Sequence, residues 1–163
     1  MSRRPLLFLD VDGPLIPFGG MEPRAVREGR GNPLIDRVDR GVGRLLSGLE
    51  CEVVWATTWG EEANQVLAPL LGLPVLAVVE WPERGDDPVD AWFGLHWKTR
   101  AVVEWARGRG FIWVDDEIGE NDREWVGRQH GGAALLYRVD PRIGLRGSDF
   151  VTMAEWLAEV RER

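Results

Sequence analysis

Five short apolar runs constrain this chain more than any other feature: Pro5–Asp10, Cys51–Thr57, Pro74–Glu80, Phe111–Asp115 and Ala133–Asp140. Each is continuous rather than alternating, as expected of strands buried on both faces. Amphipathic stretches separate them, which is the pattern of βαβ units on a parallel sheet. No repeat, low-complexity tract or linker interrupts the pattern, so residues 1–163 read as a single domain. A chain of that length buries about 70% of its unfolded surface, enough for a core without disulfide or metal staples.

Helical signals fill the gaps. Asn32-Pro33 reads as an N-cap followed by Pro at the first helical position, and Leu34, Val38, Val42, Leu45 and Leu49 follow near helical spacing. Gly41 and Gly43 weaken the middle of that helix. Thr58 and Glu61 read as a capping box for a helix near 59–70. A third helix is expected over about 96–107, with Trp97, Ala101 and Trp105 four apart, and a fourth over about 120–129. The last starts near Ser148 and carries Met153, Trp156, Leu157 and Val160 on one face. Gly13–Gly31 and Trp81–Gly94 are rich in turn-forming residues and receive no element. Both follow strands and are expected over one edge of the sheet.

The charge balance removes some functions. Twenty basic residues against 27 acidic ones give a formal charge of −7. That argues against a chain whose main task is coating nucleic acid, because such affinity comes from Lys and Arg on phosphates. A local basic patch stays open. The single cysteine, Cys51, cannot form an internal disulfide and fits a reducing compartment. Leu6–Leu9 is cut short by Asp10 and Asp12, so it is no signal-peptide core. No segment approaches the roughly 20 apolar residues that span a bilayer. The expected location is the cytoplasm, with no membrane partner.

Ligands of an open parallel sheet bind outside the carboxyl ends of its strands. The first run ends in Asp10, followed by Asp12; the second ends in Thr57 and Thr58; the fourth ends in Asp115 and Asp116. Lys98 opens the helix before the fourth strand, and its side chain can reach the same rim. Clustered carboxylates need a cation or a proton beside them. An all-oxygen set suits Mg²⁺ with waters and a substrate phosphate. An Asp carboxylate can also act as a nucleophile and form an aspartyl-phosphate. Nineteen of the 20 basic residues are Arg, and Lys98 is the single Lys. A compact ammonium suits a phosphoryl oxygen cluster better than a planar guanidinium fork.

LLFLDVDG, VVWATTW, the isolated HWKT and FIWVDDE together resemble the four motifs of the haloacid dehalogenase-like (HAD) superfamily, in that family's order, from Pro5 to about Asp116. The resemblance implies a Rossmann-like three-layer α/β/α core around a mainly parallel five-stranded sheet. It implies a Mg²⁺-dependent phosphatase that hydrolyses phosphomonoesters. Asp10 would be the nucleophile, and Asp12 would protonate the leaving group and then activate water. Thr57 would hydrogen-bond the phosphoryl group, Lys98 would neutralise it, and Gly13, Thr58 and Trp59 would line the substrate. Asp115, Asp116 or both would hold the metal with Asp10 and the backbone carbonyl of Asp12. The second aspartate favours a phosphatase over the dehalogenase branch. Pro14, where the family usually has Thr or Val, and Thr58-Trp59, in place of a small pair, are departures that touch the flap and the substrate. Gly13–Asn32 and Trp81–Trp97 are too short for a folded cap, so an open site and a bulky substrate are expected. WATTW, WKT and WVDDE together resemble the small HAD domains of RNA-repair proteins. The implied partner is a phosphorylated substrate, with a nucleotide or a nucleic-acid end as candidates. A nucleotidase for mononucleotides, a phosphotransferase and a non-catalytic binding module are the rival readings.

Other conspicuous residues have structural readings. Trp55, Trp97, Trp105, Trp113, Trp125 and Trp156 are core candidates, being large and apolar. Trp59, Trp81 and Trp92 fall on loops at the rim, where packing is the first reading and base stacking the second. His96 and His130 read as structural, and Cys51 as an inert buried thiol. Arg24, Arg27 and Arg30 read as a solvated loop, with a polyanion contact as the other reading.

Overall fold

A computed structural model describes residues 3–19, 35–83 and 87–163. Five strands form one parallel sheet: β1 (Leu6–Leu9), β2 (Glu52–Trp55), β3 (Ala77–Val78), β4 (Phe111–Asp115) and β5 (Ala134–Arg138), in the order β3-β2-β1-β4-β5. The chain builds outward from β1 to β3, then crosses back to β4 on the other side of β1. The sequence order therefore reverses beside β1, and a crevice opens there at the carboxyl ends of the strands.

The alternation of side chains sorts the core into two halves. Leu7 and Leu9 of β1, with Trp55, Ile112 and Val114, pack against α1 (Gly41–Ser47), α2 (Ala68–Leu71) and α6 (Gly147–Glu162). Leu6 and Phe8, with Val54, Phe111 and Trp113, pack against α4 (Thr99–Ala106) and α5 (Glu120–Gln129). Leu6, Leu7, Phe8 and Leu9 are all fully buried, as the continuous apolar run requires for a strand covered on both sides. The result is the expected Rossmann-like three-layer α/β/α arrangement. Among the described residues no helix is long and apolar enough to cross a membrane.

Several elements depart from the sequence reading. The Thr58–Glu61 capping box does not form. Thr57 Oγ1 instead accepts from the Trp59 amide at 3.2 Å, and Glu61 accepts from Asn64 Nδ2 at 3.2 Å. The helix begins later, as a wide turn over Ala63–Leu67 that runs into α2. Pro69 contributes to this, because it has no N–H to bond back to the Gln65 carbonyl. Asn64 also explains why β3 is far shorter than the apolar run Pro74–Glu80. Its Oδ1 accepts from Trp55 Nε1 and from Leu76 N, both at 2.9 Å, and its Nδ2 donates to Leu76 O at 2.8 Å. Leu76 thus spends its backbone on a side chain, and ladder pairing begins only at Ala77.

The first helix is also shorter than expected. A single tight turn at Ile35–Arg37 precedes α1, and Asp39 Oδ1 accepts from Gly41 N at 2.9 Å. The predicted Asn32-Pro33 start lies outside the described residues. Conversely, a helix α3 (Pro88–Phe93) stands in the unassigned stretch Trp81–Gly94. Asp87 caps it by accepting from Val89 N at 2.8 Å, Pro88 opens it, and Gly94 ends it in a left-handed conformation. That Asp-Pro start and Gly stop were readable signals.

Gly43 marks a close approach rather than a weak point. A Cβ built on it would lie 1.9 Å from the Leu71 carbonyl oxygen of α2. Gly43→Ala is expected to destabilise the protein by about 1–3 kcal/mol through overpacking. Gly127→Ala, in α5 with open space around it, is expected to stabilise by about 0.5–1 kcal/mol through helix propensity. Urea unfolding of both variants checks the pair of signs.

Candidate active site

β1 delivers Asp10 to the crevice almost fully buried, and its Oδ1 accepts from the Val11 amide at 2.8 Å. The chain then turns sharply. The amides of Leu15 and Ile16 both bond to the Val11 carbonyl at 3.0 Å, and Gly13 N bonds to Ile16 O at 3.0 Å. Gly13 sits at φ +102°, and a Cβ there would come within 2.9 Å of Asp116 Cγ. Only glycine meets both demands. The turn leaves Asp12 half-exposed beside the crevice, its Oδ2 accepting from Trp59 Nε1 at 3.2 Å.

β2 ends in Ala56 and Thr57, and Thr57 is wholly buried. Thr58 is exposed. β4 ends in Asp115, 1% exposed, whose Oδ1 accepts from Glu117 N at 3.0 Å. Asp116 is half-buried beside it, and its backbone oxygen accepts from Arg138 Nε at 3.2 Å.

Lys98 joins these strand ends. It is 4% exposed at the start of α4. Its Nζ lies 3.2 Å from Asp10 Oδ1, 2.9 Å from Asp115 Oδ2 and 3.0 Å from the Ala56 carbonyl oxygen. Three donors therefore meet three acceptors, one at the end of each of three adjacent strands. The rings of Trp81 and Trp97, with centroids 5.7 and 5.5 Å from Nζ, flank the ammonium. They pack edge to face on each other at 5.1 Å, and Trp81 Nε1 donates to Thr57 O at 3.0 Å.

Carboxylate oxygens of Asp10, Asp115 and Asp116 lie within 4.8 Å of one another. Burial pushes the Asp10 carboxyl up to about 7, with Asp115 adding to the rise and Lys98 opposing it. Burial, then Asp115, pushes Asp116 up to about 6. Three carboxylates against one ammonium leave two negative charges uncompensated when all are ionised. A divalent cation would cancel them, and an all-oxygen donor set of this size suits Mg²⁺. The Asp12 carboxylate stands outside that trio.

The structure thus brings Asp10, Thr57, Lys98, Asp115 and Asp116 to one crevice, with Asp12, Gly13, Thr58 and Trp59 on its border. Several contributors were not anticipated. Trp81 and Trp97 wall in the ammonium, though one was assigned to a loop and the other to the core. Asp122 accepts from Thr99 Oγ1 at 2.6 Å, His96 N at 2.8 Å and Gly119 N at 2.9 Å, which locks the entrance of α4 onto α5. Of the three rim tryptophans only Trp92 is strongly exposed, at 84%. His96 pairs with Glu117 at 2.7 Å, and His130 Nε2 lies 2.9 Å from Arg109 O, so both are structurally engaged. Burial pushes the Cys51 thiol up to about 11, which keeps it inert. Arg24, Arg27 and Arg30 lie outside the described residues.

A family model described as the HAD domain in Swiss Army Knife RNA repair proteins matches residues 6–150, and the chain belongs to that family. No curated protein and no solved structure matches the chain. The family match contains every residue of the crevice.

Gly13→Ala is expected to displace Asp116 and to weaken Mg²⁺ binding about tenfold or more, while the protein still folds. Calorimetric titration with Mg²⁺, alongside a thermal melt, checks this.

Proposed function

We propose that this HAD-type phosphohydrolase is a Mg²⁺-dependent phosphomonoesterase that works through an aspartyl-phosphate on Asp10, with a nucleic-acid end as its substrate. The observation that carries the reading is the Lys98 ammonium buried between Asp10 and Asp115, next to a third carboxylate. Such a cluster is built to receive a dication and a phosphoryl dianion together.

The roles follow from what each group touches. Val11 N and Lys98 Nζ both contact Asp10 Oδ1, which leaves Oδ2 to attack phosphorus. Its bond to phosphorus forms as the ester P–O bond breaks. Asp12, steadied by the Trp59 indole, gives a proton to the departing alkoxide. In the second half Asp12 takes a proton from water, the hydroxide attacks phosphorus, and the P–O bond to Asp10 breaks to release phosphate. The Thr57 hydroxyl would donate to an equatorial phosphoryl oxygen, and the Lys98 charge, held in place by Asp10, Ala56 O and Asp115, would stabilise the negative charge that gathers in the transition state. Asp10, Asp115 and Asp116 would hold Mg²⁺, which supplies Lewis-acid stabilisation of the phosphoryl oxygens when bound. Asp12 lies just past Asp10 and clear of the carboxylate trio, as an acid–base group must. The family's description, RNA repair, supports a nucleic-acid end over a free metabolite.

Hydrolysis of an aryl phosphate with Mg²⁺, and its loss with EDTA, is the first measurement. Asp10→Asn is expected to lower turnover by at least about a thousandfold with the melting temperature retained. Activity that survives Asp10→Asn would overturn the nucleophile.

Lys98→Arg is expected to cut kcat about a hundredfold or more, because a planar fork cannot meet the same three acceptors inside the Trp81–Trp97 walls. Steady-state kinetics with circular dichroism as the folding control checks it. Near-normal turnover would leave the ammonium without a catalytic part.

A further inference from the structure

We propose that an arginine-lined groove beside the turn that follows Asp12 is a subsite for the sugar–phosphate backbone of a nucleic-acid strand. The proposal rests on the phosphohydrolase reading above, and it assigns five arginines that the reaction does not use.

The groove lies beside the turn that follows Asp12, and Pro14 and Leu15 of that turn line it. Arg138 ends β5 beside Asp115, and its Nε donates to the Asp116 carbonyl at 3.2 Å. A cavity of about 550 Å³ is lined by Arg138, Asp140 and Arg142. It adjoins a second cavity of about 710 Å³ lined by Arg37, Arg40, Arg142 and Arg146. Arg142 and Phe18 belong to both. The floor is apolar, formed in part by buried Leu15 and Val42.

This groove is part of the catalytic loop's own packing. Leu145 N donates to Pro14 O at 2.9 Å, and Phe18 N donates to Pro141 O at 2.7 Å. A Cβ on Gly144 would lie 2.9 Å from Pro14 O and 3.3 Å from Gly13 O. The loop after β5 is thus pressed against the turn that follows Asp12, and the arginines on it are placed relative to the reacting carboxylates.

Charge identifies the occupant. Among the described residues that line the two cavities, five guanidiniums (37, 40, 138, 142 and 146) stand against two carboxylates, Asp39 and Asp140, an excess of three positive charges in a chain of net charge −7. Arg37 is held by the Pro17 carbonyl at 3.1 Å, and Arg142 by Asp140 at 3.2 Å. Arg40 and Arg146 make no side-chain ion pair among the described residues. A mononucleotide brings a single phosphate, which the acid cluster would take. A strand presents a phosphate at every nucleotide, which several guanidiniums in adjoining cavities can meet together. Phe18, 42% exposed where the two cavities meet, offers a ring face to a sugar or base.

The test uses the full chain and a fluorescent single-stranded 12-nucleotide RNA with hydroxyl ends, which cannot be turned over. Fluorescence anisotropy is recorded across a salt series. Arg40→Gln/Arg146→Gln is expected to weaken binding about tenfold or more. The slope of log affinity against log salt should fall by about 1.4, roughly 0.7 for each guanidinium that meets a phosphate. With a terminal phosphate restored, the ratio of kcat/KM on the oligonucleotide to that on an aryl phosphate should fall by a similar factor. Arg128→Gln, on the exposed face of α5, should leave both readouts at the wild-type value. A double variant that binds with unchanged affinity and slope, or a wild-type chain that does not bind the RNA, overturns the subsite. Neither result touches the phosphatase reading, which stands or falls on aryl phosphate hydrolysis. Loss of that hydrolysis in the wild type would sink the reaction and still leave the anisotropy to judge the groove.

Discussion

The buried ammonium of Lys98 is the interaction around which the rest of the crevice is arranged. A charge this far from water is costly unless it is paired and its donors are satisfied. Here all three donors find oxygen, on Asp10 at the end of β1, Ala56 after β2 and Asp115 at the end of β4. Those partners are neighbours only because β2, β1 and β4 lie side by side. The strand order and the ion cluster therefore depend on each other. With Lys98 removed, Asp10 and Asp115 would face one another with no cation between them. Even with it present, the Asp10 carboxyl sits near 7, so the compensation is incomplete. That residual imbalance is the physical reason to expect a dication at this place.

Aim matters as much as charge. Lys98 stands at the entrance of α4, where a helix end would ordinarily fray. Asp122 prevents this by accepting from Thr99 Oγ1, His96 N and Gly119 N at once. The entrances of α4 and α5 are thereby tied together, and the ammonium is held over the strand ends. Trp81 and Trp97 close the sides and exclude water, which strengthens every electrostatic term inside. Trp81 in turn is fixed by the Thr57 carbonyl, so Thr57 and the lysine share one wall.

Most of this was visible as strand ends. Each buried strand had to be a continuous apolar run, and a polar residue closing such a run must lie at the sheet's edge. That argument located Asp10, Thr57, Asp115 and Asp116 without any contact information, and Lys98 followed from its place at the start of the helix before β4. β4 and α5 fell where expected because their signals are local: a run of five apolar-to-acidic residues, and a helix bounded by Gly119 and Gly131. What escaped notice depends on partners distant in sequence. Asn64 shortens β3 by bonding a residue 12 positions away. Asp122 acts on residues 23 and 26 positions back. Trp81 could not be told from an ordinary loop tryptophan until the position of Lys98 was known. The failed capping box at Thr58 shows the converse error, since a correct local pattern lost to the hydrogen bond that Thr57 makes instead.

The overall acidity of the chain, which spoke against nucleic acid, weakens as an argument once the charges have positions. Screening limits the reach of a surface charge to about 8 Å at physiological salt. A bound strand therefore responds to the groups along its path rather than to the sum over the molecule. Three of the acidic groups are committed to the carboxylate cluster around Lys98. Along the adjoining groove the balance reverses in favour of guanidinium. The one Lys at the cluster and the guanidiniums along the groove suit different tasks. A compact ammonium fits among closely set carboxylates, whereas planar forks suit exposed phosphates.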